Sequence, residues 1–334
     1  MTRLLASRLA WGVFTLVLVA VIVFLATQAL PGDAASAILG SSATPQRLAA
    51  LRAQLHLDEP VLGQFWHWFS GLVQGHFGTS LAARRPVSDV LGTRMLNTLT
   101  LVVVSAVVGL PLALWLGVRS AVKRDRVFDH VVSVGTLTLA ALPEFVVGIA
   151  LILLLATQVL HLLPAVSLLQ PGVPAWEQPK ALVLPAATLV LAVVPYVARI
   201  VRGSMIDVLE EEYVQMARLK GLSERVVVLR YALPNAIAPA IQACALSLAY
   251  MTGGVVVVEY VFQYNGIGAA LVEAVDNRDV PVVQAIVLLI GAVYVLLNIL
   301  ADVATVLVTP KLRTQLRRAR RPAVEPSLAT ELPR

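Results

Sequence analysis

Long apolar runs without a charged residue limit most strongly what this chain can fold into. They cover residues 9–30, 95–118, 145–176, 181–198, 231–258 and 280–301. Most of them reach the roughly 20 residues that a membrane-crossing helix requires. The sequence therefore predicts an all-α integral membrane protein with six transmembrane helices.

The third run contains the least expected side chain of the apolar region. If Glu144 is allowed inside it, the run begins near Val131, and the prolines at 164, 171 and 174 assign its far end to a loop. An ionisable group at that depth is costly unless it is paired or faces water. Glu144 is therefore either part of a transport path or a structural partner of a neighbouring helix or subunit.

The first run is either a retained anchor or a cleaved secretory signal, because Arg3 and Arg8 precede it. Its uncharged stretch exceeds the roughly 7–15 apolar residues of a signal peptide, which favours the anchor. Residues 1–30 are thus predicted to be a cytoplasmic N-terminus with the first transmembrane helix, and residues 95–310 the five-helix core that follows.

Basic residues predict the orientation in the membrane. They cluster at the start of the chain and at residues 119–126, 199–230 and 311–321, whereas residues 259–279 hold four carboxylates and one arginine. Because cytoplasmic loops are rich in Lys and Arg, both termini are predicted to be cytoplasmic. This asymmetry accounts for the net charge of +6, so nucleic acid is not a predicted partner.

Several classes of chemistry lack their residues in this sequence. Cys244 is the single cysteine, and none of the five histidines begins a His-Glu-x-x-His motif. None of the four lysines follows a glycine, so the Gly-Lys pair of a phosphate-binding loop is absent. We expect no catalytic residue, metal or cofactor on this chain. If ATP is used, another chain hydrolyses it.

An outer insertion (residues 31–94) is too long to be a simple connection. Thr44 and Pro45 predict the start of a helix with Leu48, Leu51 and Leu55 on one face, and a second helix is expected after Pro60. Its aromatic residues suit the headgroup region of a bilayer, namely Phe65, Trp66, Trp68 and Phe69. The insertion either rests on the membrane or forms part of a docking surface for a soluble partner.

A polar elbow (residues 203–235) interrupts the apolar runs. Glu210, Glu211 and Glu212 open a short helix that Arg218 and Lys220 close, which complements the helix macrodipole. Gly221 is predicted to end this helix in a left-handed conformation, and Ser223 to cap a second one. A compact helical elbow at the membrane surface is a shape that a partner protein can grip, which suggests mechanical coupling.

An outer segment (residues 259–281) precedes the last apolar run. Gly266 and Gly268 are expected to break the backbone before a short amphipathic helix. Non-helical backbone near a membrane persists only where protein buries it or a water-filled cavity accommodates it. The segment is therefore either an outer gate or an ordinary capped loop.

Taken together, these motifs resemble a dipeptide/oligopeptide-type ABC importer permease, over nearly the whole chain to about residue 313. Ala217, Gly221, Leu233 and Pro234 match the cytoplasmic loop motif of such permeases, whereas Gln215, Met216 and Tyr231 depart from it. The further matches are residues 30–33, 57–60, 75–80, 86–87, 97–99, 262, 266–268, 278–279 and 281.

The resemblance implies a heterodimer of two similar permeases in the lipid of a bacterial inner membrane, two ATPase subunits that hold ATP and Mg, and an extracytoplasmic binding protein. It implies ATPase coupling by Glu211, Glu212, Tyr213, Ala217, Arg218, Gly221, Leu233 and Pro234, of which Leu233 and Pro234 would end the second helix. Glu144, Phe262, Tyr264, Gly266 and Gly268 are the candidates for the translocation path or outer gate.

The sequence leaves the identity of the substrate open. Di- and oligopeptides are the first expectation, and nickel chelates, glutathione and haem are alternatives within the same kind of complex. An ion-coupled secondary transporter is the alternative from another class, but Glu144 is almost alone as an intramembrane ionisable group. The basic tail at residues 311–334 is predicted to be disordered.

Overall fold

The computed structural model of the chain describes residues 2–28, 44–54, 58–170 and 173–308. Its helices in chain order are α1 (Thr2–Gln28), α2 (Pro45–Gln54), α3 (Val61–Val73), α4 (Val87–Val122), α5 (Val127–Ala141), α6 (Glu144–Leu151), α7 (Pro179–Leu209), α8 (Glu212–Leu219), α9 (Glu224–Val226), α10 (Leu233–Phe262), α11 (Ile267–Asp276) and α12 (Val280–Val308). The π-helical stretches Ile152–Thr157 and Val227–Ala232 follow α6 and α9 directly.

Five of these helices, α1, α4, α7, α10 and α12, are long and apolar enough to cross a membrane. The bent pair α5 and α6, with the π-helical stretch, makes a sixth if it is counted as one span. The prediction of an all-α integral membrane protein is confirmed.

The central helix of the bundle is α7, which packs against α4, α5, α6 and α10. Its buried side chains are mostly aliphatic, among them Leu189, Val193, Val197 and Met205. α12 packs against α10 on one side and α1 on another. Arg8 of α1 pairs with Asp302 of α12, with 3.0 Å between Nε and Oδ2. A helix that is apolar nearly all round, as α7 is, belongs in the interior of such a bundle.

The two ends of the bundle carry different segments. At the elbow end, α4 and α7 both terminate, and Arg124 Nη1 lies 2.5 Å from Glu210 Oε1. At the insertion end, Asp279 accepts hydrogen bonds from Ser80 Oγ at 2.5 Å and from the amides of Leu81 and Ala82. The outer insertion is thereby fastened to the residue that precedes α12.

The third apolar run is not one continuous helix. α5 and α6 meet at an angle of 108° around Leu142 and Pro143. Leu142 has extended backbone with ψ 133°, as expected for a residue before proline. The prediction of one continuous third helix is therefore corrected: the span is bent, and Glu144 is the first residue of α6, just beyond the bend.

Each of the five long helices extends past the charge-free run that predicted it, and α4 and α10 are the two that bear on the outer segment. α4 begins at Val87, ahead of residue 95, because Asp89 and Arg94 are helical although charged. Arg94 is matched there by Glu273 of α11, at 2.8 Å. α10 continues to Phe262 and so includes Glu259. Charge-free runs identified the spans but not their ends.

The described part of the outer insertion forms two helices. Thr44 Oγ1 accepts a hydrogen bond from the Arg47 amide at 3.3 Å, and α3 follows Pro60, so both predicted helix starts are confirmed. Phe65 and Trp68 pack against Phe24 of α1, with ring centroids 5.3 and 5.6 Å apart. The predicted features at residues 30–33, at Leu55 and at residues 311–334 lie outside the described residues. Contact with lipid headgroups stays a prediction.

A buried ion pair joins α5 to α7 near the elbow end. Arg202 Nε and Nη2 lie 2.6 and 2.7 Å from the two carboxylate oxygens of Asp129, which is 2% exposed. The Asp125 amide and the Ser133 hydroxyl donate to the same carboxylate. The ion pair is bidentate because the planar guanidinium presents two parallel N–H groups to the two carboxylate oxygens.

We expect Arg202→Lys to lower the free energy of unfolding by about 1–2 kcal/mol, because an ammonium keeps the charge but cannot bond to both oxygens in this geometry. Denaturant unfolding of the detergent-solubilised protein measures the change. Arg199→Lys, on the exposed side of the same helix, is the matched control and should leave it unaltered. Equal stability of the two variants would contradict a structural role for the pair.

Candidate coupling elbow and outer gate

The helix α8 is held to the bundle by one face and exposes the other. Val214 and Ala217 are buried against the hydrophobic core. Gln215 Nε2 donates to the carbonyl of Leu209 at 3.1 Å. On the opposite face Met216 is 53% and Leu219 81% exposed. Ala217 thus packs closely against the core, and the exposed face of α8 is apolar although it lies beyond the spans.

The turn after α8 requires glycine for its backbone conformation. Gly221 has φ +79°, and a Cβ built there meets nothing within 4 Å. Its amide donates to the Arg218 carbonyl at 2.9 Å, and the Leu222 amide donates to the Ala217 carbonyl at 3.4 Å. This is the arrangement of a glycine-terminated helix. The left-handed conformation, and not crowding, therefore excludes most side chains at this position.

Arg218 connects the two arms of the elbow, of which the first is α8 and the second begins with α9. Its Nη2 and Nε lie 2.8 and 3.2 Å from the two carboxylate oxygens of Glu224, and its Nη1 lies 3.4 Å from the Leu209 carbonyl. Hydrogen bonding to Glu224 raises the pKa of Arg218 above its ordinary value. The elbow is thus braced against the end of α7. Glu224 was not among the predicted site residues, although a carboxylate six positions after an arginine across a tight turn was a usable signal.

The acidic residues at the start of the elbow divide between two elements. Glu212 lies in the first turn of α8 and Glu211 precedes it, as the dipole argument expects. Glu210 instead ends α7 and pairs with Arg124. Partial burial and the charge of Glu211 raise the pKa of Tyr213, which is 42% exposed. Glu211, Glu212 and Tyr213 thus lie at the start of α8.

Two local predictions for the second arm are corrected. The Ser223 side chain makes no capping hydrogen bond, and only its carbonyl receives the amides of Val226 and Val227. Leu233 and Pro234 do not end a helix, because α9, the π-helical stretch and α10 continue into one another. Pro234 has no amide hydrogen and lies in the first turn of α10, just after the wider π-helical turns.

At the insertion end, Glu259 organises the outer segment from inside the protein. Its side chain is fully buried and accepts hydrogen bonds from Thr98 Oγ1 at 2.5 Å and from the amides of Gly268 and Ala269 at 2.7 and 3.2 Å. Thr98 Oγ1 in turn accepts from the Ile267 amide at 2.9 Å. A carboxylate from α10 and a hydroxyl from α4 together satisfy the first amides of α11.

Gly266 and Gly268 of the outer segment are required because α10 approaches their backbone too closely for a side chain. A Cβ at Gly266 or Gly268 would overlap the Glu259 carboxylate, and at Gly268 also the backbone of Val256. The expectation that both glycines break the backbone is met at Gly266, which has extended backbone before α11, and is corrected at Gly268. Gly268 lies inside α11, and the left-handed residue that ends α10 is Gln263, with φ +52°. The predicted short helix itself is present.

Phe262 and Tyr264 are buried in the protein interior. The Tyr264 hydroxyl donates to the Asn97 carbonyl at 2.8 Å, and burial raises its pKa well above the ordinary value. Phe262 lies against Gly148 of α6, and its carbonyl accepts from the Ser167 amide at 2.7 Å. In this conformation they connect α6, α4 and the outer segment and do not line an open surface.

Several residues of the insertion end were missed as site residues, namely Ser80, Asn97, Thr98, Glu259 and Asp279. Asn97, Thr98 and Asp279 stood within the motifs that carried the resemblance, and Ser80 closes another of them. Glu259 carried a simpler signal, since a lone carboxylate just after an apolar run must find partners if the helix continues.

Glu144 is brought to α10 by the bend before α6. The Tyr250 hydroxyl donates to Glu144 Oε2 at 2.9 Å. The carboxylate lies against Gly254, where a Cβ would be 2.9 Å from Oε1. Glu144 is thus separate from the cluster that contains Phe262, Tyr264, Gly266 and Gly268. Phe262 also lies where α6 packs against α10, but at a different level of the two helices.

The sequence matches a family of membrane transport components over both of its parts. Residues 109–314 match the binding-protein-dependent transport system inner membrane component, and residues 1–102 match the N-terminal unit of such components. The chain belongs to this family and is a multi-pass permease subunit of the ABC importer class.

Its relatives include permeases with a named substrate. The chain is 39% identical over 313 residues to the glutathione transport system permease protein GsiC of Salmonella typhimurium, and 38% identical over the same length to GsiC of Escherichia coli K12. Each alignment covers 94% of this chain and 99% of the relative.

Proposed function

We propose that this chain pairs with a second, homologous permease on two ATPase subunits and receives short peptides from an extracytoplasmic binding protein. The ATPases hold ATP and Mg, and both termini of this chain are cytoplasmic. The elbow supports this proposal most strongly, because it is a folded element bonded to the end of α7 and its exposed face is apolar. Exposed apolar residues outside a membrane span favour contact with another protein.

The elbow joins two helices of the core without a flexible link. α7 leads into it, and its second arm continues into α10 through the π-helical stretch. α10 reaches the opposite end of the bundle, where Glu259 holds the first turn of α11. A displacement of the elbow by ATPase closure would therefore reach the outer segment through helices, which is the geometry that alternating access requires.

In this mechanism the coupling residues have different tasks. Ala217 and Val214 seat α8, Gly221 forms the turn, and Arg218 braces it. Leu219, Met216 and Tyr213 offer the contact surface, and Glu211 and Glu212 lie beside it for basic residues of the ATPase. Leu233 and Pro234 connect the elbow to α10.

For the substrate, we propose a short peptide with a free amino group. The family supports an importer, and the names of the relatives favour glutathione, a tripeptide, as the first compound to test. Calorimetry with the binding protein purified from the same complex decides between the classes. Retention of a nickel chelate or haem without any affinity for peptides or glutathione would overturn the peptide assignment.

We expect Leu219→Asp to weaken binding of the ATPase to the permease by roughly tenfold, because a charge replaces an apolar side chain at the centre of the contact. Leu168→Asp is the matched control, since Leu168 is a 74% exposed leucine at the insertion end. Co-purification of ATPase with each tagged variant measures the effect. Equal ATPase recovery from both variants would place the contact elsewhere.

A further inference from the structure

A cavity of about 440 Å³ lies at mid-height of the bundle, next to Glu144. Its walls come from the middle of α7, α10 and α12 and from the bend between α5 and α6. Ligand cavities in proteins commonly enclose about 300–1,000 Å³. The space is thus large enough for a peptide group, and it is remote from both the elbow and the Glu259 cluster.

The side chains that could bind a ligand in this cavity are one carboxylate and three tyrosine rings. Glu144 supplies a carboxylate, and Tyr196, Tyr250 and Tyr294 each keep 41–58% of their surface exposed beside it. In the part of the chain that the structure describes, no lysine or arginine lines the cavity. A cavity that combines a carboxylate with several aromatic rings has the groups that bind an organic cation.

The surroundings of Glu144 indicate that the cavity has an occupant. Glu144 lies between the middle parts of three long helices, where an ionised carboxylate requires a countercharge or water. Within the described residues its hydrogen-bond donor is the uncharged hydroxyl of Tyr250, and no basic side chain pairs with it. The countercharge therefore has to come from a group that enters the cavity or from another subunit.

We propose that Glu144, with the rings of Tyr196, Tyr250 and Tyr294, binds the ammonium group of the peptide as it crosses the membrane. This inference rests on the proposed function, since it takes the occupant to be the transported peptide. The Tyr250 hydroxyl, by donating to Oε2, orients the carboxylate toward the cavity and acts as a positioning group. Gly254 leaves room for the carboxylate beside α10.

The test measures charge preference inside the assembled transporter. Cys244→Ala removes the single native thiol, and Leu246→Cys places a new one on the cavity wall, where Leu246 is 47% exposed. The complete complex in proteoliposomes is then treated with 2-aminoethyl methanethiosulfonate or its 2-sulfonatoethyl counterpart, with and without ATP. Each rate is normalised to that with a free thiol.

We expect the ammonium reagent to react roughly tenfold faster than the sulfonate, because Glu144 attracts the first and repels the second. Glu144→Gln should bring the two rates together, whereas Glu273→Gln, a distant surface carboxylate, should not. Trialanine delivered by the binding protein should slow the modification.

Three results would overturn the site. They are equal rates for both reagents, a preference unaffected by Glu144→Gln, and a thiol inaccessible to both reagents with and without ATP. An inaccessible thiol would mean that the second permease always covers this face. The positive charge opposite Glu144 would then be a side chain of that permease and not the ammonium group of a peptide. ATP-dependent uptake of trialanine by the unsubstituted complex is measured in parallel. Its absence would count against the proposed function, whatever the outcome of the charge test.

Discussion

Glu259→Ala is expected to lower the free energy of unfolding by about 3 kcal/mol or more, because each buried donor left without a partner costs about 1–3 kcal/mol. The substitution removes the acceptor of Thr98, Gly268 and Ala269 together. It also leaves a cavity where the carboxylate was. We therefore expect α11 to detach from α4 and α10, with loss of the outer closure and of uptake.

Denaturant unfolding of the purified complex and uptake in proteoliposomes measure this effect. Glu259→Gln keeps the shape of the side chain, but its NH₂ group is a donor that cannot accept hydrogen bonds from the backbone amides. We therefore expect an intermediate loss of stability and uptake. Glu273→Ala is the matched control, because the Glu273 side chain is 60% exposed and its pair with Arg94 contributes only about 0–1 kcal/mol. If Glu259→Ala proved no more destabilising than this control, the carboxylate would not be the organiser of the outer segment.

Gly221→Val should reduce ATP-driven uptake roughly tenfold, because a left-handed backbone costs about 1–2 kcal/mol for a residue with a Cβ and more for a β-branched one. The permease should still assemble, since Gly221 lies at an exposed turn with open space around it. ATP hydrolysis would then continue without a matching rate of transport. The ratio of substrate imported to ATP hydrolysed is the quantity to measure.

Gly221→Asn separates conformation from side-chain volume. Asparagine is close to valine in size but tolerates positive φ, so this variant should keep most of the coupled uptake. Uptake at the unsubstituted rate in Gly221→Val would contradict the role of the turn. An asparagine variant as defective as the valine one would show that the surface, and not the backbone conformation, is what the partner requires.

The spans could be predicted from the sequence because a bilayer leaves few choices. A backbone in lipid must satisfy its own hydrogen bonds, so each long apolar run becomes a helix. The elbow was also predictable in outline, since glycine at position 221 and the acidic residues at 211 and 212 act locally. Local rules failed at Ser223 and Pro234, where continuous helical winding into α10 replaced a capped break.

The outer cluster could not be assembled from the sequence for a physical reason. Glu259 meets Thr98 across 161 residues, and Asp279 meets Ser80 across 199. Such contacts depend on how α4, α10 and α12 pack, which no local pattern encodes. The same holds for Glu144, whose partner Tyr250 lies on another helix and whose position depends on the bend at Pro143.

A photo-crosslink from the elbow tests the central claim most directly, namely that this elbow is held by an ATPase. The photoreactive residue p-benzoylphenylalanine replaces Leu219 in the tagged chain, native membranes are irradiated, and the purified adducts are identified by mass spectrometry. The same residue at Leu168 is the control. We predict that position 219 forms an adduct with a subunit carrying a phosphate-binding loop and that position 168 does not. Recovery of this chain alone from position 219, or of an adduct only with proteins that lack a nucleotide-binding motif, would contradict the account and favour a carrier that works without an ATPase.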